Sequence, residues 1–336
     1  MTSTGDARLD IAVVDPQDEP ALRAWYDALR AGACADRTAA LISSYRAMTA
    51  MLRGPVHTWQ RTAVAAVRAG ATVGAMLVDV PVRENLTTAS VEVAVPPEHR
   101  RQGVARALWG VAVEMLAGED RTVVQTEVHV PAGHTPQTWP GALFAERLGA
   151  RVENVEDHFV LPLPAAAPAR RPAGDEHQVV SWEGRCPERF IEAYASMRTA
   201  MTGDVPTGGL LREASVWDAD RVRTSESRLI EQYVVLVSMA LTAHGEPAGY
   251  TLAFLDRGDP DNALQDDTFV RPEHRGHGLG MRLKLANLPQ VEAHRGDRRW
   301  LHTWTATDNT PMQRVNVAFG FRLVERTHEY EWVRGR

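Results

Sequence analysis

Two eleven-residue stretches of this chain are identical at six positions, Val95-Pro96-Pro97-Glu98-His99-Arg100-Arg101-Gln102-Gly103-Val104-Ala105 and Val270-Arg271-Pro272-Glu273-His274-Arg275-Gly276-His277-Gly278-Leu279-Gly280. Each copy follows a β-like stretch and opens a helix with one apolar stripe. Gly103 and Gly278 stand 175 residues apart, and Gly149 and Gly320, which close later short helices, stand 171 apart. A near-constant offset carried through several elements marks a duplicated domain. The turn itself gathers backbone N–H groups, an arginine and a helix N-terminus around one point, the arrangement by which proteins hold a phosphate or pyrophosphate.

A length of 336 residues suits two domains, because single cores stop growing beyond roughly 250–300 residues. The expected division is 8–161, a linker at 162–176, and 177–336. The stretch from Leu161 to His177 is too rich in Pro, Ala and Gly to build a core. A hydrophobic content of 44% and a charged content of 24% describe an ordinary globular protein. Net charge is -6 with no basic run, which speaks against a long nucleic-acid surface. No apolar run reaches the ~18 residues of a membrane span, and Met1 to Asp6 begins no signal peptide, so a cytoplasmic location is expected. Cys34 and Cys186 have no metal-like spacing around them and read as two ordinary thiols. No metal is expected.

Periodicity gives the same element order twice. In the first half, strands are expected at Leu9 to Val14, Thr62 to Arg68, Ala71 to Val80, Ala89 to Val95 and Thr122 to Val130. Helices are expected within Pro20 to Met51, after Gly103, and at Ala142 to Leu148. In the second half, strands are expected at Gln178 to Trp182, Val234 to Thr242, Ala248 to Leu255, Asp267 to Val270, Leu301 to Thr305 and His328 to Val333. Its helices fall at Pro187 to Met201, Asp218 to Glu231, after Gly278, and at Pro311 to Phe319. The fold class is α/β with a mixed, mostly antiparallel sheet flanked by helices in each of two tandem domains.

Strand, then Arg-x-x-Gly-x-Gly/Ala, then helix, strand, and a short helix ending in Gly-Phe resembles the GCN5-related N-acetyltransferase (GNAT) superfamily, twice over and along almost the whole chain. The second half, from Gln265 through Asn287, is most similar to tandem GNAT proteins of actinobacteria. The resemblance implies that the turn cradles the pyrophosphate of acetyl-CoA and that the preceding strand accepts pantetheine. In the second half this assigns Phe269, Val270, Arg271, Arg275, Gly276, His277, Gly278, Leu279 and Gly280 to the cofactor, with Asn309 and Met312 from the later helix. In the first half it assigns Val95, Arg100, Arg101, Gln102, Gly103, Val104 and Ala105. Lys284, the only lysine, either reaches a phosphate or stays solvated. A dinucleotide site is a poor alternative: Gly276-x-Gly278-x-Gly280 lacks the required spacing, and Arg298-Arg299 stands where an acidic ribose ligand is wanted.

Acyl transfer from a thioester to an amine needs a base for the amine and a proton for the departing thiolate. GNAT members often take the base from the strand before the turn, which here carries Asp266 and Asp267; simple alternation puts these on opposite faces, so at most one faces the reaction. The family's Asn-x-x-Ala-x-x-Leu-Tyr-x-x-x-Gly-Phe reads here as Asn309, Met312, Val315, Asn316, Gly320 and Phe321. Asn316 thus replaces the tyrosine acid, and an amide cannot serve as a true acid. In the first half, Thr138, Gly141, Phe144, Ala145, Gly149 and Ala150 fill the same frame, and Glu92 is the strand carboxylate. The C-terminal half is therefore expected to be catalytic and the N-terminal half a degenerate copy. Met197, Met201 and the segment 203–209 fall where the acceptor wall is expected. Trp300, His302 and Trp304 alternate on one strand face and read as core before substrate box. His99 and His274 read as braces of the two turns.

Two functions remain open: transfer of an acyl group, most simply acetyl, to the amine of a small molecule, or non-catalytic binding and sensing of coenzyme A. A larger acyl group on the same fold is a further variant. Two tandem domains imitate the dimer of single-domain relatives, leaving a monomer or a homodimer.

Overall fold

A computed structural model describes residues 8–166 and 177–335. The expected linker lies largely outside the described residues, as does the start of the chain at Met1 to Asp6. The chain divides into two compact units: unit 1 is Met1–Asn154, Gly208–Glu213 and Thr327–Arg336, and unit 2 is Val155–Thr207 and Ala214–Arg326. Residues 151–154 of one long strand and 327–333 of another fall in unit 1, and the remainder of each falls in unit 2.

Unit 1 runs β1 (Leu9–Val13), α1 (Glu19–Cys34), α2 (Tyr45–Arg53), β2 (Trp59–Arg68), β3 (Ala71–Pro81), β4 (Thr88–Ala94), α3 (Val104–Ala117), β5 (Val123–Pro131) and α4 (Pro140–Arg147). Its strands lie in the order β1-β2-β3-β4-β5, followed by residues 327–333 of the last strand. The helical stretch expected from Pro20 to Met51 is two helices. Asp18 caps α1 by accepting from Ala21 N, and Ser44 caps α2 by accepting from Ala47 N, each satisfying an N–H that the first helical turn leaves unpaired.

Unit 2 holds most of β6 (Arg151–Pro162), then β7 (Gln178–Glu183), α5 (Ile191–Asp204), α6 (Ala219–Gln232), β8 (Tyr233–Leu241), β9 (Pro247–Asp256), β10 (Asn262–Val270), α7 (Leu279–His294), β11 (Trp300–Ala306), α8 (Thr310–Phe319) and the first part of β12 (Arg322–Val333). Its strand order is β7-β8-β9-β10-β11-β6, with β12 residues 322–326 beyond β6. β6 is the element that periodicity missed.

Each unit buries both faces of its sheet. In unit 2, Tyr250, Leu252 and Phe269 pack with Tyr194, Met197 and Val222 on the α5/α6 side. Ala253, Leu255 and Leu301 pack with Met281, Phe319 and Phe321 on the α7/α8 side. Met197 is wholly buried in the first of these cores, so it is a packing residue and not part of an acceptor wall.

Close packing fixes one glycine that the repeat also duplicates. A Cβ on Gly249 of β9 would stand 2.5 Å from the carbonyl oxygen of Phe269 and 3.2 Å from Val270 Cα, both backbone atoms of β10. Its counterpart Gly74 is closed off by Val104 Cγ1 at 2.5 Å. Because backbone cannot rotate away, Gly249→Ala is expected to cost about 1–3 kcal/mol, readable as a lowered melting temperature.

Candidate functional site

In both units the sheet opens at the same place. β10 and β11 are parallel and pair only from Asn262–Trp300 to Leu264–His302; β4 and β5 pair only from Thr88–Val123 to Ser90–Gln125. Beyond these points the strands separate, and the β10 edge that follows Leu264 offers main-chain groups to something other than a strand.

The repeated turn sits at the open end. Pro272–His274 forms a single 3-10 turn, Gly276 and Gly278 take positive φ of 82° and 72°, and α7 starts at Leu279. Residues Arg275 through Gly278 are exposed. A Cβ on Gly276 would meet nothing within 4 Å, so the space beside the turn is free for an oxyanion, and the first N–H groups of α7 have no intrahelical partners. The turn in unit 1 has the same shape, with Gly103 at φ 80° and Arg101 held at φ 62°, where unit 2 uses Gly276. Gly276→Ala is expected to cost only its backbone strain, on the order of 1–2 kcal/mol.

The arginine of each turn is a brace. Arg275 Nε donates to Val270 O at 2.9 Å and Nη2 to Asp204 Oδ2 at 2.5 Å. Arg100 repeats this with Val95 O at 3.1 Å and Asp36 Oδ2 at 2.9 Å. Asp204 thus gives the 203–209 segment a part in holding the turn. Arg271 reaches Ser196 Oγ at 3.1 Å, and His274 Nδ1 lies 3.4 Å from His177 Nε2. Gln102 accepts from Arg68 through Oε1. Asn309 spends its Oδ1 on capping α8, accepting from Met312 N at 3.3 Å.

Lys284 is neither solvated nor near the exposed turn. It is 2% exposed, with Nζ 5.3 Å from the centre of the Phe321 ring. Its place on the inner stripe of α7 turns it into the core, and burial pulls its ammonium down to about 7.

The two strand carboxylates depart from simple alternation. The β9–β10 register shifts between Gln265 and Thr268, a β-bulge, whereas the β3–β4 register in unit 1 runs without one. Asp267 Oδ2 accepts from Tyr250 OH at 2.7 Å, and Thr251 Oγ1 donates to Asp267 O at 3.1 Å. Asp266 keeps a solvent-exposed face although protein surrounds it. Lost hydration and the neighbouring Asp267 push its carboxyl up to about 7, with Arg198 opposing. Both carboxylates act on Tyr194 and Arg198, so the bulge brings them to the α5 side together. Burial, followed by Asp267, drives the Tyr250 hydroxyl well above its ordinary range.

Asn316 is fully buried. Its Nδ2 donates to Thr305 Oγ1 at 2.8 Å, while Oδ1 has no hydrogen-bond partner. In unit 1, Glu92 on β4 and Glu127 on β5 stay solvent-accessible though protein surrounds them; that crowding raises both carboxyls, and Glu329 and Glu92 raise Glu127 further.

A buried polar chain crosses the other strand of the opening. Glu325 Oε1 lies 2.7 Å from His158 Nδ1, His158 Nε2 lies 2.8 Å from His302 Nδ1, and His302 Nε2 lies 2.8 Å from Asn262 Oδ1. His158 also stacks on Trp304, ring centres 3.9 Å apart. Of the aromatic stripe, His302 is core and Trp304 only partly buried. Sequence reasoning missed His158, Glu325, Tyr194, Tyr250 and Arg198, since no local spacing links residues that meet only through strand register.

Among the described residues, no group of three or more His, Cys, Asp or Glu side chains is arranged to hold a metal ion, and no helix is long and apolar enough to cross a membrane. Both cysteines are free thiols.

Residues 210–321 match the family described as acetyltransferase (GNAT) family. The chain is similar to the solved structure of a tandem GNAT protein from the clavulanic acid biosynthesis pathway, with 28% identity, a TM-score of 0.81, and coverage of 98% of this chain and 99% of that one. A GCN5-related N-acetyltransferase from Sphaerobacter thermophilus shares the fold at 17% identity and TM-score 0.68, covering 97% and 95%. Saccharomyces cerevisiae N-myristoyltransferase, solved with myristoyl-CoA, shares it at 10% identity and TM-score 0.58, covering 97% and 79%. The curated protein sequences contain no match.

Proposed function

From a chain that carries a GNAT acetyltransferase domain within a tandem GNAT fold, we propose that unit 2 transfers an acetyl group from acetyl-CoA to the amine of a small molecule. The observation that carries this reading is the coincidence, in unit 2, of an exposed glycine turn, a splayed strand pair and a bulge bearing Asp266 and Asp267 at the splay.

The residues present fit the cofactor. Main-chain N–H groups from Gly276 to Gly280 would hold its diphosphate, and the β10 edge from Phe269 to Arg271 would hold pantetheine; when bound, it supplies an activated acetyl thioester. Asp266 receives the proton of the incoming ammonium: its carboxyl titrates near neutrality, so it is both ionised and basic enough at working pH. Asp267, fixed by Tyr250, supplies the negative charge that raises Asp266. Asn316 donates to Thr305 inside the core; it carries no ionisable proton, so the thiolate takes its proton from solvent.

The same absence favours the second reading, a protein that binds coenzyme A without turnover. Thiol release from acetyl-CoA with a panel of amines, beside calorimetry of coenzyme A, separates the two. For the enzyme, kcat/KM rises with pH through about 7 as Asp266 ionises. Asp266→Asn then loses at least ~100-fold of it, together with that rise, and keeps coenzyme A affinity. Tight coenzyme A binding with no thiol release from any amine establishes the sensor instead.

A further inference from the structure

Arg198 on α5 stands beside Tyr194, whose ring centre is 5.3 Å from that of Tyr250, the residue that donates to Asp267, yet Arg198 pairs with neither Asp266 nor Asp267. Its guanidinium carbon lies 3.7 Å from the centre of the Trp217 ring and 5.8 Å from that of Tyr194. Among the described residues no carboxylate lies within ion-pairing distance of it and no hydrogen bond engages its N–H groups. Glu226, which lines the same cavity as Arg198, is already engaged: it accepts from Cys186 N at 2.6 Å and from Arg223 Nη1 at 2.7 Å. The groups that reach Arg198 electrostatically are Tyr194, Tyr250, Asp267 and Asp266.

A guanidinium lying on an indole face spends its π surface on the ring and leaves its in-plane N–H fork for a bidentate oxyanion. A fixed cation with idle donors opposite an ionisable carboxylate pair forms a site with two poles. Asp266 and Asp267 favour an ammonium, and Arg198 favours a carboxylate.

Resting on the acetyl-transfer reading of unit 2, we propose that the acceptor is an aminocarboxylate, an amine whose own carboxylate is received by Arg198 while its ammonium faces Asp266. Arg198 is then the residue that sets specificity. It binds the end of the acceptor that does not react, which orients the nitrogen toward the thioester.

The test uses the full chain, acetyl-CoA, and matched acceptors: the standard amino acids, β-alanine and 4-aminobutyrate, each beside its carboxamide. At least one carboxylate is expected to exceed its amide by about 100-fold in kcat/KM, as a buried bidentate contact would give. Arg198→Gln is expected to erase that preference mainly through KM for the carboxylates, and Arg198→Lys to restore part of it. Equal use of carboxylates and amides, or an equal loss on both in Arg198→Gln, overturns the proposal. So does coenzyme A uptake in which no carboxylate is turned over or changes tryptophan fluorescence in an Arg198-dependent way. Absence of coenzyme A uptake, by contrast, overturns the acetyl-transfer reading itself.

Discussion

Glu325→Ala is expected to destabilise unit 2 by about 1–3 kcal/mol, the cost of leaving a buried polar group without its hydrogen bond. Asn262 Nδ2 donates to Asp259 Oδ2 at 2.9 Å, which fixes the amide and turns Oδ1 toward His302. His302 Nε2 must therefore carry a proton. One proton lies between the two imidazoles and another between His158 and Glu325. In whichever position the proton between His158 and Glu325 rests, Glu325 closes the chain. All three side chains are 2% exposed or less, so removing the carboxyl takes a hydrogen bond from His158 Nδ1 in a dry interior. Chemical denaturation followed by tryptophan emission measures the loss. Replacing the pair together, Glu325→Leu with His158→Phe, is expected to cost less, since apolar groups of similar volume remove both hydrogen-bonding partners. A single variant as stable as the parent shows that this hydrogen bond adds nothing to stability.

Lys284→Met is expected to act in the opposite direction, stabilising the protein by about 2–4 kcal/mol at pH 7. Burial lowers the folded-state ammonium from 10.5 to about 7. Between those values the unfolded chain binds a proton that the folded chain does not, so stability of the parent rises with pH across the window. Below about 7 both states are protonated and the penalty is at its full size. The methionine variant has no such dependence, and its advantage therefore shrinks from pH 7 toward pH 10. Methionine matches lysine in length and helix propensity and fills the same space beside Phe321. Denaturation midpoints at several pH values check both sign and slope; a methionine variant that is weaker at neutral pH shows that the ammonium is held by more than the Phe321 ring.

Duplication, the two turns and most elements were legible because they depend on short-range chemistry. Glycines at positive φ, proline-led turns and apolar stripes are written within ten or so residues, and 103, 276, 278 and 320 take the conformations their positions ask for. Lys284 was misjudged because the side of a helix that faces the core depends on what lies opposite, and that is α8 and Phe321. β6 was missed because its outer half, Arg151 to Asp157, mixes charge with apolar residues, and only the neighbouring strands make the pattern that of a sheet interior.

By itself, the sequence determined that the chain repeats one strand-turn-helix unit, that each repeat carries a glycine turn at the start of its helix, and that the second has two carboxylates on the strand before it. Tertiary structure alone decided what those carboxylates are worth. The bulge at Gln265 to Thr268 turns both toward α5, Tyr250 fixes one, and the packing of α5 on the sheet brings residues some seventy positions away, Tyr194 and Arg198, into the same field. The physical reason is range: backbone conformation is set by near neighbours in the chain, whereas hydration and electrostatic potential are set by whatever the fold places nearby in space.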